Sequence, residues 1–107
     1  GSIGKAVDRV RKEAPHTLKI EVEAETMEQV EECLAAGVDI IMLDNMSPEL
    51  MRLAVRLVNG KALLEASGGI NLENVRTVAE TGVNLISIGA LTHSAPACDI
   101  SMELETA

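Results

Sequence analysis

Glu65-Ala66-Ser67-Gly68-Gly69-Ile70-Asn71 is the stretch of this chain best suited to hold an anion. Residues 61–65 form a short run of strand length. Asn71, followed by Leu72, Val75, Val78 and Ala79, reads as a capped helix start with an apolar stripe. Two glycines therefore fall where a strand hands over to a helix. With no side chains they let backbone N–H groups approach a ligand closely, and a helix start aimed at the same place favours phosphate. A tight loop in which the glycines only supply unusual φ angles fits these residues equally well. Glu23 and Asp44 are the other candidates, since carboxylates can hold a divalent metal through water or steady developing positive charge. Each also has a plainer role open to it: Glu23 as a solvated strand end, Asp44 as a cap or turn residue. His93 could donate to a phosphate oxygen or could simply be exposed on a loop.

The elements that must position these groups follow from the pattern. Residues 1–14 carry Ile3, Val7, Val10 and Ala14 at helical spacing, and Pro15 stops that helix. Residues 18–23 alternate with period two, as a strand with one wet face does. Thr26-Met27-Glu28-Gln29 is a capping box, and the helix it opens is closed by Gly37. Residues 38–43 are nearly all apolar, as a strand covered on both faces is. Ser47-Pro48-Glu49 then supplies a cap, an N1 proline and a first-turn acid for a helix reaching Val58. After the glycine stretch come a helix over 72–81, a stop at Gly82 and a strand over 85–88. A loop or short helical turn is expected over 91–96, and a weak extended segment over 99–104.

Glu23, Asp44, Ser67 and Gly89 follow one another at intervals of about 22 residues, the length of one strand–helix unit in compact α/β folds. Gly37-Val38-Asp39-Ile40-Ile41 also returns as Gly82-Val83-Asn84-Leu85-Ile86. The fold class expected is α/β, built of consecutive βα units with parallel strands. Parallel strands joined by helices put all their C-terminal ends on one rim, so Glu23, Asp44, Ser67, Gly68, Gly69, Gly89 and Ala90 should face a common space. Glu65 is expected to face a neighbouring strand or the rim, and Glu21 to point away from Glu23.

Composition narrows the function. A chain of 107 residues with 47% hydrophobic and 24% charged residues accommodates one small domain. Phe, Tyr and Trp are absent, so the core must be built from aliphatic side chains and methionine. The net charge of −8 argues against nucleic acid or an anionic membrane as the main partner. Cys33 and Cys98 are the only cysteines and form no C-x-x-C, which suits a reduced, cytoplasmic setting and not a structural zinc site.

Lys19-Ile20-Glu21-Val22-Glu23, Ile41-Met42-Leu43-Asp44-Asn45, Leu64-Glu65-Ala66-Ser67-Gly68-Gly69-Ile70 and Ile88-Gly89-Ala90-Leu91-Thr92-His93-Ser94 occur in this order and spacing. Together they resemble the C-terminal portion of the quinolinate phosphoribosyltransferases over essentially the whole chain. The resemblance implies a partial, open α/β barrel that lacks the first strands and a separate N-terminal domain, with dimeric assembly. It also implies the reaction, in which quinolinate and phosphoribosyl pyrophosphate, with Mg²⁺, give nicotinate mononucleotide, pyrophosphate and CO₂ for NAD synthesis. By position, Glu23 and Asp44 match the acidic residues near the ribose and the metal. Ser67, Gly68 and Gly69 match the turn holding the 5-phosphate, completed by Gly89, Ala90 and His93.

The chain departs from the family in what it lacks. A Lys-Asp-Asn-His segment, and most of the cations that bind the substrates' acidic groups, are not found in it. Residues 1–107 are therefore expected to be one portion of the barrel domain and inactive alone. Two other functions stay open: a different phosphate-binding βα-barrel enzyme, or a non-catalytic assembly unit. Four strands would leave two sheet edges open and the faces of Ile41, Leu43, Leu64 and Ile86 partly uncovered, so a homo-oligomer, most simply a two-fold pair of half-barrels, is expected.

Overall fold

The computed structural model describes residues 2–15, 17–89 and 91–95. The expected extended segment over 99–104, and His16, Ala90, Pro96 and Cys98, lie outside them. Nine elements alternate through these residues: α1 (Ser2–Glu13), β1 (Glu21–Ala24), α2 (Met27–Ala36), β2 (Ile40–Asp44), α3 (Pro48–Val58), β3 (Leu63–Ser67), α4 (Val75–Ala79), β4 (Leu85–Ile88) and β5 (Leu91–Ser94). The strands form one open sheet in the order β1-β2-β3-β4-β5. The first four are parallel, and β5 folds back antiparallel on β4. This is the expected α/β architecture of βα units, with one strand more than the pattern suggested.

Helix boundaries are set by local chemistry. Thr26 Oγ1 accepts from Gln29 N at 3.2 Å, while Gln29 Oε1 accepts from Thr26 N at 3.3 Å and from Glu25 N at 2.7 Å, so three orphan donors at the start of α2 are satisfied. Gly37 ends α2 at φ 74, a conformation that costs a glycine little. Ser47 caps α3 through Leu50 N, with Pro48 in the first turn.

Register decides which side chains face the helices. In a parallel sheet residues directly opposite share a face, so Val22↔Ile41↔Leu64 and Ala24↔Leu43↔Ala66↔Ile86 lie together on the helix-covered side. There Ala24, Ile41, Leu43, Ala66 and Ile86 are wholly buried, joined in the core by Val30, Cys33, Met51, Ala54, Val58, Val75 and Val78. The expectation that Ile41, Leu43, Leu64 and Ile86 line an uncovered inner face is thus corrected. Residues 38–43 are apolar almost throughout, which hides the parity until the strand is paired. The other face carries Glu21, Glu23, Ile40, Met42, Asp44, Leu63, Glu65, Ser67 and Leu85.

At the opposite end of the strands from the rim, Arg11 ties α1 to the sheet. Its guanidinium donates to Gly37 O at 2.9 Å and to Asp39 Oδ2 at 3.1 Å, and the same carboxylate oxygen accepts from Ile20 N at 2.8 Å. That backbone donor, with Arg11 assisting, holds the Asp39 carboxyl below its ordinary range.

Candidate functional site

The turn over 67–69 is a backbone feature first. Gly68 and Gly69 stand at φ 83 and 69, consecutive left-handed residues that a side chain would strain. A Cβ on Gly68 would lie 2.9 Å from Asp44 Oδ1, 3.1 Å from Asn45 N and 3.3 Å from Asn45 Cα, so this glycine is required by space as well as by φ. Asn45 is itself left-handed, at φ 56, and its N–H donates to Ser67 O at 2.8 Å. Beyond the turn, Asn71 and Asn74 cap reciprocally: Asn74 N donates to Asn71 Oδ1 at 3.2 Å, and Asn71 N to Asn74 Oδ1 at 2.9 Å. Asn74 Nδ2 also reaches back to Gly69 O at 2.8 Å. The N–H groups of Gly68, Gly69 and Ile70 meet no acceptor among the described residues.

Asn71 therefore caps as its sequence position suggested, but the regular helix behind it is shorter than expected. Residues 72–74 form a turn and α4 spans only Val75–Ala79. So short a helix adds little dipole, and anion binding at this turn rests on its backbone donors.

Asp44 ends β2 directly opposite Ser67 on β3, and Glu23 on β1 is opposite Met42, two residues before Asp44. Glu23 and Asp44 are within hydrogen-bonding reach of each other. The Asp44 charge, more than partial desolvation, holds the Glu23 carboxyl above its ordinary range. A second pair sits one step down the same face. Glu65, only 6% exposed, is within reach of Glu21, and burial first, then the Glu21 charge, raises its carboxyl as well. Glu21 and Glu23 share a face because they are two residues apart in one strand, which corrects the expectation that they diverge.

No strand position on this face is Lys, Arg or His. The donor chemistry of the Glu23–Asp44 pair suits a hard divalent cation held partly by water, because among the described residues no strand position on their face offsets the two close carboxylates with positive charge. Among the described residues no group of three or more His, Cys, Asp and Glu is placed to hold a metal by itself. A cation here would complete its shell from water or substrate oxygens.

Gly89, at φ 62, turns β4 into β5 on the same rim, and a Cβ placed on it would find nothing within 4 Å. His93 is not on a loop. It pairs with Ile86 in the β4–β5 ladder and so belongs to the helix-covered face, turned from Glu23 and Asp44. Thr-His-Ser has no apolar alternation, which is why its sequence reads as irregular, and only the partner strand makes residues 91–94 extended. Glu65 with Glu21, and Asn45 with Asn74, are the site residues that pattern alone does not assign. The 71/74 spacing of two asparagines around a turn is the available signal.

Comparison with known proteins agrees with this geometry. Residues 1–103 match the family model described as quinolinate phosphoribosyl transferase, C-terminal domain. The chain is 48% identical over 104 residues to a probable carboxylating nicotinate-nucleotide pyrophosphorylase of Bacillus subtilis (strain 168), covering 97% of this chain and 36% of that protein. It is 38% identical over 107 residues to the carboxylating nicotinate-nucleotide pyrophosphorylase of Rattus norvegicus, with the same coverage. Among solved structures, the nicotinate-nucleotide pyrophosphorylase of Francisella tularensis superposes with a TM-score of 0.78 at 40% identity, over 82% of this chain and 31% of that one. The chain thus spans about a third of the length of the curated relatives it matches. From strand register to rim turn, the chain belongs to the quinolinate phosphoribosyltransferase family, matching its C-terminal domain.

Proposed function

We infer that this chain supplies the carboxylate pair and the phosphate turn of a quinolinate phosphoribosyltransferase, which joins quinolinate to phosphoribosyl pyrophosphate and releases pyrophosphate and CO₂ to form nicotinate mononucleotide. The observation that carries this is the contact between the two parts. Gly68 lies so close to Asp44 and Asn45 that no Cβ fits between them, so an anion on the turn sits beside the carboxylates. A sugar phosphate whose 5-phosphate rests on the turn over 67–69, with Gly89 on the neighbouring strand end, has its ring carried toward Glu23 and Asp44.

Each group then has a stated task. Backbone N–H groups of Gly68, Gly69 and Ile70 bind phosphate oxygens. Glu23 and Asp44 face the anomeric carbon as the pyrophosphate departs, and their negative charge stabilises the positive character that develops there. Mg²⁺, when bound, supplies positive charge for the leaving pyrophosphate, and Glu23 and Asp44 are the residues that would hold it, through water. Ala90 and His93 enter the phosphate pocket only through the resemblance. The register of β5 favours the turn and Gly89 as its main walls.

This 107-residue chain alone should not turn over, because among the described residues the strand positions of its inner face offer anionic substrates four carboxylates and no cation. The test is an assay of the longer protein containing this chain, with quinolinate, phosphoribosyl pyrophosphate and Mg²⁺. Glu23→Gln and Asp44→Asn should each lower turnover by about 10²-fold or more, with the fold retained. Another phosphorylated substrate preferred over this pair, or wild-type turnover in both variants, would overturn the assignment. A homo-oligomer is also proposed. Its route is not the pairing of inner faces, which would set Glu21, Glu23, Asp44 and Glu65 of one copy against those of another.

A further inference from the structure

Among the described residues Asn45 and Asn59 are the two that stand at positive φ without being glycine. Asn59 closes α3, where a left-handed residue lets its own N–H reach the last turn at Val55 O. Asn45 has no helix to close. It follows Asp44 at the end of β2, and its N–H is spent on Ser67 O at 2.8 Å. Its carboxamide is exposed and bonds to nothing among the described residues. The neighbouring asparagines use theirs inside the fold: Asn71 Oδ1 accepts from Glu73 N and Asn74 N, and Asn74 bonds to Asn71 N and Gly69 O. Asn84 Oδ1 accepts from Leu64 N.

We propose that the Asn45 carboxamide is a substrate contact, donating through Nδ2 to a ring hydroxyl of a sugar phosphate held between the turn over 67–69 and the Glu23–Asp44 pair. This rests on the reading of the rim as a sugar-phosphate site. Position supports it. A Cβ on Gly68 would lie 3.1 Å from Asn45 N and 3.3 Å from Asn45 Cα, and one on Gly69 would lie 3.5 Å from Asn45 Oδ1, while Asp44 is the residue before it in the chain. The carboxamide therefore stands at the junction that a sugar ring must span. Chemical complementarity supports it as well. The backbone N–H groups of the turn only donate, ionised carboxylates only accept, and a hydroxyl does both. A hydroxyl that donates to a carboxylate here still has an oxygen to satisfy, and a carboxamide N–H serves it without adding a positive charge that would blunt the carboxylates. Inorganic phosphate has no ring hydroxyl and is held by the turn alone, so Asn45 selects for the sugar.

The test is calorimetric titration of the longer protein containing this chain with ribose 5-phosphate and, separately, with inorganic phosphate. Asn45→Gly keeps the left-handed backbone and deletes only the carboxamide. It should weaken ribose 5-phosphate by about fivefold or more, the worth of one neutral hydrogen bond, and change inorganic phosphate by less than about twofold. Asn59→Gly, the same replacement at the end of α3, should change neither affinity. In turnover assays Asn45→Gly should raise KM for phosphoribosyl pyrophosphate by a similar factor and leave KM for quinolinate unchanged. If Asn45→Gly does not fold, Asn45→Asp keeps the shape and tolerates the same backbone. Having lost the donor, it should weaken ribose 5-phosphate by a larger factor than inorganic phosphate, both ligands bearing the added repulsion. A wild-type protein that binds ribose 5-phosphate but does not turn over quinolinate would sink the proposed reaction and leave this contact to be decided by the titrations. Full ribose 5-phosphate affinity in Asn45→Gly, equal losses for the two ligands, as a purely conformational role gives, or a wild type that binds neither would overturn the proposal.

Discussion

Replacing Gly68 with alanine tests the local geometry on which the phosphate turn depends. At φ 83 an alanine bears the left-handed penalty of about 1–2 kcal/mol. Its Cβ also meets Asp44 Oδ1 at 2.9 Å and Asn45 N at 3.1 Å. The carboxylate tip can swing, but Asn45 N is backbone, held by its bond to Ser67 O, so overpacking adds about 1–3 kcal/mol. The smaller unfolded-state entropy of alanine returns about 0.4–1 kcal/mol. The net loss is about 2–4 kcal/mol, a large share of the stability of a small domain, and lowers Tm by roughly 10–25 °C. Gly60 is the control, because it stands at φ 79 with nothing within 4 Å of its Cβ position. Gly60→Ala carries the conformational term alone, about 1 kcal/mol. Urea unfolding of the two variants side by side separates strain from crowding. Equal midpoints would refute the close approach of the turn to Asp44.

Stability should fall as pH rises above the ordinary glutamate value of 4.5. Glu23 and Glu65 have folded-state pKa values raised above it, so until the pH passes those values the folded chain holds protons the unfolded chain has released. Asp39 acts in the opposite sense, its contribution being lost as pH drops below about 3.8, so the optimum lies between; a urea midpoint that rises as the pH is raised above 4.5 would contradict this. Asn74→Ala removes both the Asn71 cap and the bond to Gly69 O, and should cost about 1–2 kcal/mol and broaden the amide signals of Gly68 and Gly69 in NMR spectra. Titration with inorganic phosphate should shift the amides of Gly68, Gly69 and Ile70 first, and Gly68→Val should abolish those shifts.

Legibility in the sequence tracks how local the cause is. The Thr26 capping box, the Ser47–Pro48 start and the Gly37 stop depend on neighbours within four residues, and the structure places each where its residue types indicate. The rim is legible too, since the 22-residue interval is a property of the chain alone. What escapes depends on pairing. β5 is a strand only because β4 offers it an edge, and that pairing puts His93 on the helix-covered face with Ile86. The inner and outer faces of β2 cannot be told apart while Ile40, Ile41, Met42 and Leu43 all look alike to a hydropathy pattern. Glu65 is visible as a lone acid in an apolar run, but its burial comes from Met42 and Leu85 on either side and Glu21 beyond.

Glu65 also says something about what the sheet was selected for. A buried carboxyl facing another carboxyl lowers stability relative to an apolar side chain of similar size, and this chain has no aromatic residues with which to compensate. Among the described residues four acids lie on one sheet face, whereas the opposite face is apolar apart from His93, which departs from the rule that the strands of a parallel sheet are hydrophobic on both faces. The acidic face ends at a rim whose Gly68 is fixed by space. Acidic strands therefore favour cations near the rim while the turn beside them favours an anion. A ligand that satisfies both carries a phosphate and, next to it, a carbon or metal bearing positive charge, as the substrate proposed above would.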